Sequence, residues 1–198
     1  NITAKFAIVI KGVKMYQINV PQKRMFVKDY ITTAFFQLLE KKDFDKITIS
    51  EIIERAGVSR MGFYRNFSSK ESIVENFVLE KFKETVDEIT ASRKLDFQID
   101  KIMITTLVNF KKFACYIKLF LDKNLDALLY NCYHKAYYSL YNGSNSAKNS
   151  TIRDYSNEMF IAELFNLEMC WVRKGMKESP EELARIYSLI LKLRCNAI

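Results

Sequence analysis

The chain has little with which to break a helix. Among 198 residues there are 5 glycines and 2 prolines, so helical periodicity is seldom interrupted and an almost wholly α-helical protein is predicted. His134 is the single histidine, which argues against a zinc site or a histidine-based catalytic centre. The 4 cysteines, Cys115, Cys132, Cys170 and Cys195, share no CxxC spacing, and each lies in an apolar helical context. They read as buried free thiols of a reducing cytoplasm, with a redox sensor as the sharper alternative. Paired carboxylates, a glycine-rich phosphate loop and any nucleophile–base spacing are also missing. No catalytic residue, metal ligand or cofactor is therefore assigned, and the chain does not read as an enzyme. Long hydrophobic runs are lacking too: Phe6 to Ile10 is apolar but far too short to span a bilayer, so no membrane partner is expected.

What is present is a charge asymmetry. Residues 1–70 carry 13 Lys+Arg against 6 Asp+Glu, net +7, whereas residues 71–198 carry 18 against 17, net +1. Nearly all of the overall +8 lies in the first third, as a phosphate-binding module requires. A hydrophobic content of 49% over this length supplies a full core, and one domain with a small appended one follows from the length. Residues 1–22 are read as an N-terminal extension, of which 1–14 are set aside from the fold argument because Met15 could be an internal start.

Three helix starts crowd into Thr48 to Ile73. Thr48 with Glu51 three residues on forms a capping box, and the short helix it opens carries Ile49, Ile52, Ile53 and Ala56 before Gly57 stops it. Val58 plugs the angle, and Ser59 is the next N-cap. It launches a second short helix, Arg60 to Asn66, with Phe63 and Phe67 facing inward. Ser68 with Glu71 reads as a further capping box for a long third helix, Ser69 to Ser92. Two short helices joined by a glycine-containing turn form a helix-turn-helix.

In Thr48, Ile52, Ala56-Gly57-Val58-Ser59, Phe63-Tyr64, Phe67 and Lys70-Glu71, in unbroken register, the stretch resembles the DNA-binding segment of the tetracycline-repressor (TetR) family of bacterial regulators. Ile53 departs from the small alanine usual there, and Met61-Gly62 from the usual Gly-Thr or Ser-Thr. The resemblance implies a sequence-specific regulator of double-stranded DNA, most often a repressor, binding a palindromic operator as a homodimer under a small-molecule effector. The expected architecture is a three-helix helix-turn-helix domain, 23–72, and an effector-binding and dimerisation domain, 73–198, with about nine helices. In such a motif the second helix enters the major groove by its N-terminal residues. The DNA-binding set is Thr48, Ser59, Arg60, Met61, Gly62, Tyr64, Arg65 and Lys70. Arg60 suits guanine and Met61 a thymine methyl; the resemblance gives Tyr64 and Lys70 to phosphates, with Lys23, Arg24 and Lys28 as minor contacts. Gly62 costs about 1 kcal/mol of helix stability, which fits a backbone brought close to DNA. An interaction protein that keeps the fold but recognises a protein partner is the alternative, and the basic first third argues against it.

The remainder is read from periodicity. Lys23 to Lys42 forms an amphipathic first helix. Ile102 to Phe113 and Tyr116 to Leu121 give two helical segments with a kink between Lys111 and Cys115, followed by Leu125 to Tyr141 and a polar loop, Asn142 to Thr151. Ile152 to Lys174 is apolar on most sides and so must be covered on more than one. Ser179-Pro180-Glu181-Glu182 starts the last helix. The last two helices present more apolar surface than one small bundle covers, which points to a two-fold dimer through Phe160, Leu164, Leu167, Trp171, Ile186 and Ile190. Tyr116, Phe120, Tyr133, Tyr137 and Phe165 are spaced to converge around a mostly apolar, uncharged or weakly polar effector, although aromatic stripes are more often simply core.

Overall fold

The computed structural model describes residues 27–91, 99–141 and 150–196. Among these the chain is all-α, with eight helices and one short 3-10 turn: α1 Val27–Leu39, the 3-10 turn Phe44–Lys46, α2 Ile49–Ala56, α3 Arg60–Asn66, α4 Lys70–Ala91, α5 Ile99–Asp122, α6 Asp126–Tyr141, α7 Ser150–Arg173 and α8 Pro180–Asn196.

Local chemistry sets the boundaries. At α2 the Thr48 hydroxyl accepts from the Glu51 N–H, and the Glu51 carboxylate accepts from the Thr48 N–H at 2.9 Å. Ser179 and Glu182 exchange the same pair of bonds at α8. Three helices end alike. Gly57, Asn124 and Gly175 take positive φ angles of 64°, 56° and 79°. In each case that residue and its successor return N–H groups to the last turn: Gly57 to Glu54 and Val58 to Ile53, Asn124 to Leu121 and Leu125 to Phe120, Gly175 to Val172 and Met176 to Trp171. This is the paired bond of a left-handed helix stop, which satisfies carbonyls that would otherwise lack donors.

Two boundaries differ from the sequence reading. Helix α4 is capped by Ser69 with Ser72, each N–H or hydroxyl of the pair bonding the other residue, and not by Ser68 with Glu71. Helix α5 runs unbroken through Lys111–Cys115. The two lysines there fall on its outer face while Phe110, Phe113 and Ala114 are buried, so they mark a surface and not a kink. Ser150 and Thr151, placed in the polar loop, begin α7; the rest of that loop and most of the break at 95–100 lie outside the described residues.

One continuous buried cluster joins the two parts of the chain. Phe36 of α1 is its hinge pin. Its ring meets Phe77 of α4 at 5.0 Å and Tyr116 and Phe120 of α5 at 4.5 and 5.6 Å. Helices α1 to α3 are thereby seated on the C-terminal bundle by aromatic contacts, and α4, packed along α6, belongs to both parts. None of the described helices is long and apolar enough to cross a membrane.

Candidate nucleic-acid interface

Helix α3 is held from behind and bare in front. Phe63 and Phe67 are buried as the spacing predicts, and their rings touch at 6.1 Å. Ser59 caps the helix by accepting from the Gly62 N–H at 2.9 Å. The outward face carries Arg60, Met61, Tyr64 and Arg65, with Met61 73% exposed. The Arg60 guanidinium lies 5.8 Å from the centre of the Tyr64 ring, a cation–ring contact that gathers the charge over one turn. A side-chain cation, a thioether and a phenol thus project together from the N-terminal half of a rigidly seated helix, as major-groove reading requires.

The other basic residues are mostly occupied. Lys28 pairs with Glu80 of α4 at 2.6 Å, Lys42 with Glu51, Lys46 with Asp43 at 2.9 Å, and Arg55 donates to Gln37 at 2.8 Å. Lys23 and Arg24 lie outside the described residues. Lys42 leads the contacts that hold the Glu51 carboxyl down at about 2, followed by the Thr48 N–H and hydroxyl. Lys70 is turned inward: its ammonium donates to the carbonyls of Phe44 at 2.7 Å, Ile47 at 3.2 Å and Asp45 at 3.4 Å and lies 4.4 Å from the Phe44 ring centre. An ammonium has three N–H donors, and in this arrangement they are directed at the carbonyls of the 3-10 turn and of Ile47 after it.

Gly62 also has an internal reason. A Cβ there would stand 3.2 Å from Ser59 Oγ, 3.8 Å from Val27 and 3.9 Å from Val58. Its missing side chain lies on the inner side of α3, against the cap and α1, and not toward the groove. Beside the C-terminal end of α3, Tyr64 and Arg65 also border an open cleft of about 530 Å³ that Asn66, Ser68, Asn76 and Lys135 line between the helix-turn-helix and α6.

The residues proposed for an effector do not converge on one pocket. Tyr116 and Phe120 belong to the Phe36 cluster between the two parts of the chain. Tyr133 and Phe165 meet edge-on at 5.2 Å in the C-terminal interior. Tyr137 packs on Phe160 at 5.8 Å, its hydroxyl donating to Asn157. Sequence reasoning missed Glu168, a 2% exposed acid one turn along α7 from Phe165. Its signal is a single carboxylate in the apolar run Leu164 to Val172.

The dimer candidates divide similarly. Leu164 and Trp171 are buried within the chain and Leu167 packs against its core, whereas Phe160, Ile186 and Ile190 are exposed. The same surface gains Tyr155, Met159, Leu189 and Leu193, which periodicity did not single out. Of the thiols, Cys132 is buried and pushed up to about 12 by its burial, Cys115 is partly buried, and Cys170 is exposed, contrary to expectation. Cys195 lies among residues whose side chains are not described.

Comparison with known proteins follows this geometry. The family model described as Bacterial regulatory proteins, tetR family, matches residues 31–77, which run from α1 through the helix-turn-helix into α4. The chain is 29% identical over 90 residues to the HTH-type transcriptional regulator AlkX of Mycobacterium tuberculosis, covering 46% of this chain and 42% of that protein. It is 25% identical over 96 residues to the uncharacterized HTH-type transcriptional regulator YxbF of Bacillus subtilis, covering 48% and 25% respectively. The matched stretch therefore spans less than half the length of either relative. The crystal structure of Lin0861 from Listeria innocua shares the fold, with a TM-score of 0.65 at 14% identity over 88% of this chain and 96% of that one. Over residues 31–77, the chain is similar to the tetR family of bacterial regulatory proteins.

Proposed function

We propose that the chain is a homodimeric, sequence-specific DNA-binding transcriptional regulator that represses when free and responds to an effector bound in its C-terminal bundle. The observation that carries the reading is the outward face of α3. Arg60, Met61, Tyr64 and Arg65 stand exposed on a doubly anchored helix, while the neighbouring cations Lys28, Lys42 and Lys46 are tied to carboxylates. Base edges are read by Arg60 and Met61, and phosphates are held by Tyr64, Arg65 and the helix starts at Thr48 and Ser59.

Dimerisation follows from the uncovered side chains of α7 and α8. Tyr155, Met159 and Phe160 on one helix and Ile186, Leu189, Ile190 and Leu193 on the other form an apolar surface of the kind that marks an association site. Two-fold pairing through it presents two α3 helices to half-sites about 34–36 Å apart, one duplex turn, and matches a palindromic operator.

The test is selection from randomised duplexes with the purified protein. A palindromic consensus is expected, and Arg60→Ala should relax preference at one base position per half-site by ~1–3 kcal/mol. Failure to enrich any sequence would overturn the reading.

A further inference from the structure

In the interior of the C-terminal bundle the Tyr133 hydroxyl on α6 and, on α7, Glu168 Oε2 and Trp171 Nε1 make no hydrogen bond of ordinary geometry, although the Tyr133 hydroxyl and the Glu168 carboxyl stand close enough to act on each other. The three residues are 1%, 2% and 2% exposed. Phe165 and Trp171 lie three residues before and after Glu168 and share its inward face. Tyr133 meets Phe165 edge-on and Phe82 of α4 at 4.8 Å; Trp171 stacks on Phe110 of α5 at 6.3 Å. Rings of α4, α6 and α7 thus gather at Tyr133, which acts on the carboxylate, and α5 adds Phe110 against Trp171.

No lysine or arginine pairs with Glu168 among the described residues; the titratable side chain that acts on it is Tyr133, and Lys111 lies over the Trp171 ring, 5.9 Å from its centre. Burial without a countercharge pushes the Glu168 carboxyl up to about 8, against the opposing pull of the Tyr133 hydroxyl. Tyr133 is itself raised well above its usual value, first by burial and then by Glu168. A lone buried acid does not stabilise a fold, since an apolar side chain of similar volume does as well or better. Unsatisfied buried groups of this kind need another explanation. The chemistry here is complementary to a cation. Glu168 offers a charged acceptor, Tyr133 a second oxygen and the rings their negative faces, while the indole N–H is a donor that suits an acceptor atom on the same molecule.

We propose that Glu168 is the countercharge for a ligand: an organic ammonium ion whose nitrogen is held by Glu168 and Tyr133 and whose apolar body enters among Phe82, Phe165 and Trp171. This deepens the effector-responsive reading and rests on it for its regulatory consequence. It also replaces an uncharged effector by a cation. Entry must part the ring cluster, and Phe82 belongs to α4, the helix that leaves the helix-turn-helix. A ligand that prefers the parted arrangement shifts α4 against α6, and with it the spacing of the two α3 helices in a dimer.

The experiment uses the full chain and three probes of one shape: phenoxypropylammonium, neutral phenoxypropanol and anionic phenoxypropionate. Trp171 is the sole tryptophan, so its fluorescence reports binding directly. The ammonium is expected to bind and to do so ~10-fold or more tightly than either analogue, with Glu168→Gln removing that preference while leaving phenoxypropanol unchanged. At neutral pH the bound ammonium should also expel the Glu168 proton, a release that calorimetry in buffers of different ionisation heat measures in the unaltered protein even if the variant fails to fold. Equal binding of ammonium and alcohol, an unaffected ammonium affinity in Glu168→Gln, ammonium binding without proton release, or no binding of any probe at millimolar concentration would overturn the proposal. Duplex selection on the same preparation without ligand reports the regulator reading separately, so either can fail alone.

Discussion

Replacing Lys70 by methionine separates two roles that the sequence merges. Methionine keeps an unbranched apolar stem of similar reach and removes the ammonium. The lost contacts are the hydrogen bonds to the Phe44, Ile47 and Asp45 carbonyls and the approach to the Phe44 ring. A hydrogen bond to a charged group contributes ~1.5–3 kcal/mol, and a partly exposed cation–ring contact ~0.5–1 kcal/mol. The shortest bond reaches a part-buried carbonyl and the longest an exposed one, so the three do not sum in full, and a loss of ~2–3 kcal/mol is expected. With a urea slope of ~2–3 kcal/mol/M, the unfolding midpoint should fall by about 1 M at unchanged slope.

The DNA measurement supplies the contrast. Each phosphate neutralised contributes ~0.9 to the slope of log affinity against log salt. With its donors turned inward, Lys70→Met should weaken binding only through loss of folded protein and leave that slope unaltered. Arg65→Ala, on an exposed side chain of α3, should lower it by ~1. A Lys70→Met protein with the wild-type urea midpoint and a salt slope reduced by ~0.9 would refute the argument and return Lys70 to the phosphates.

Three further outcomes are expected. The Glu51 carboxyl is depressed from 4.5 to about 2, so its contribution to α2 is present above pH 4.5 and lost as pH falls toward 2; acid titration by circular dichroism should show this component vanish in Glu51→Gln, and Thr48→Ala should cost ~1 kcal/mol at neutral pH. Glu168 runs the opposite way: the folded protein keeps its proton up to about pH 8 whereas the unfolded chain loses it near 4.5, so stability should decline with rising pH across that window by up to about 1.4 kcal/mol per unit, and urea titrations of Glu168→Gln should lack the decline. Leu189→Glu with Leu193→Glu, on the exposed face of α8, should yield a folded monomer by light scattering, whereas Leu164→Glu places a charge in the core and should lose the fold; a dimeric double variant would sink the α7–α8 interface.

The helix-turn-helix was legible because its signals are local. Thr48 and Glu51 are three residues apart, Gly57 is the residue that takes a left-handed stop, and Ser59 caps four residues before the buried Phe63; no distant contact is needed to decide any of them. Where two local signals compete, the reading slips. Ser68 and Ser69 are both caps by type, and the choice of Ser69 with Ser72 depends on how α4 enters the fold. The inward bonds of Lys70 are illegible for the same reason at longer range, because the carbonyls it serves lie 23 to 26 positions earlier in the chain.

The C-terminal bundle was legible in class and not in detail, since a helix apolar on most sides carries no phase. In α7 the pattern cannot tell Leu164 and Trp171, which face inward, from Tyr155 and Met159, which face out. The five aromatics were grouped by spacing within helices, yet Tyr116 and Phe120 are claimed by Phe36 of α1, a partner about 80 positions away in the chain that periodicity cannot nominate. Glu168 inverts the problem. An acid inside an apolar run is easily read as the helix's solvent edge, the commonest place for one. Its meaning arises only once α4, α5, α6 and α7 pack together and supply rings but, among the described residues, no cation, so that the same carboxylate changes from a surface charge to a buried acid with no countercharge.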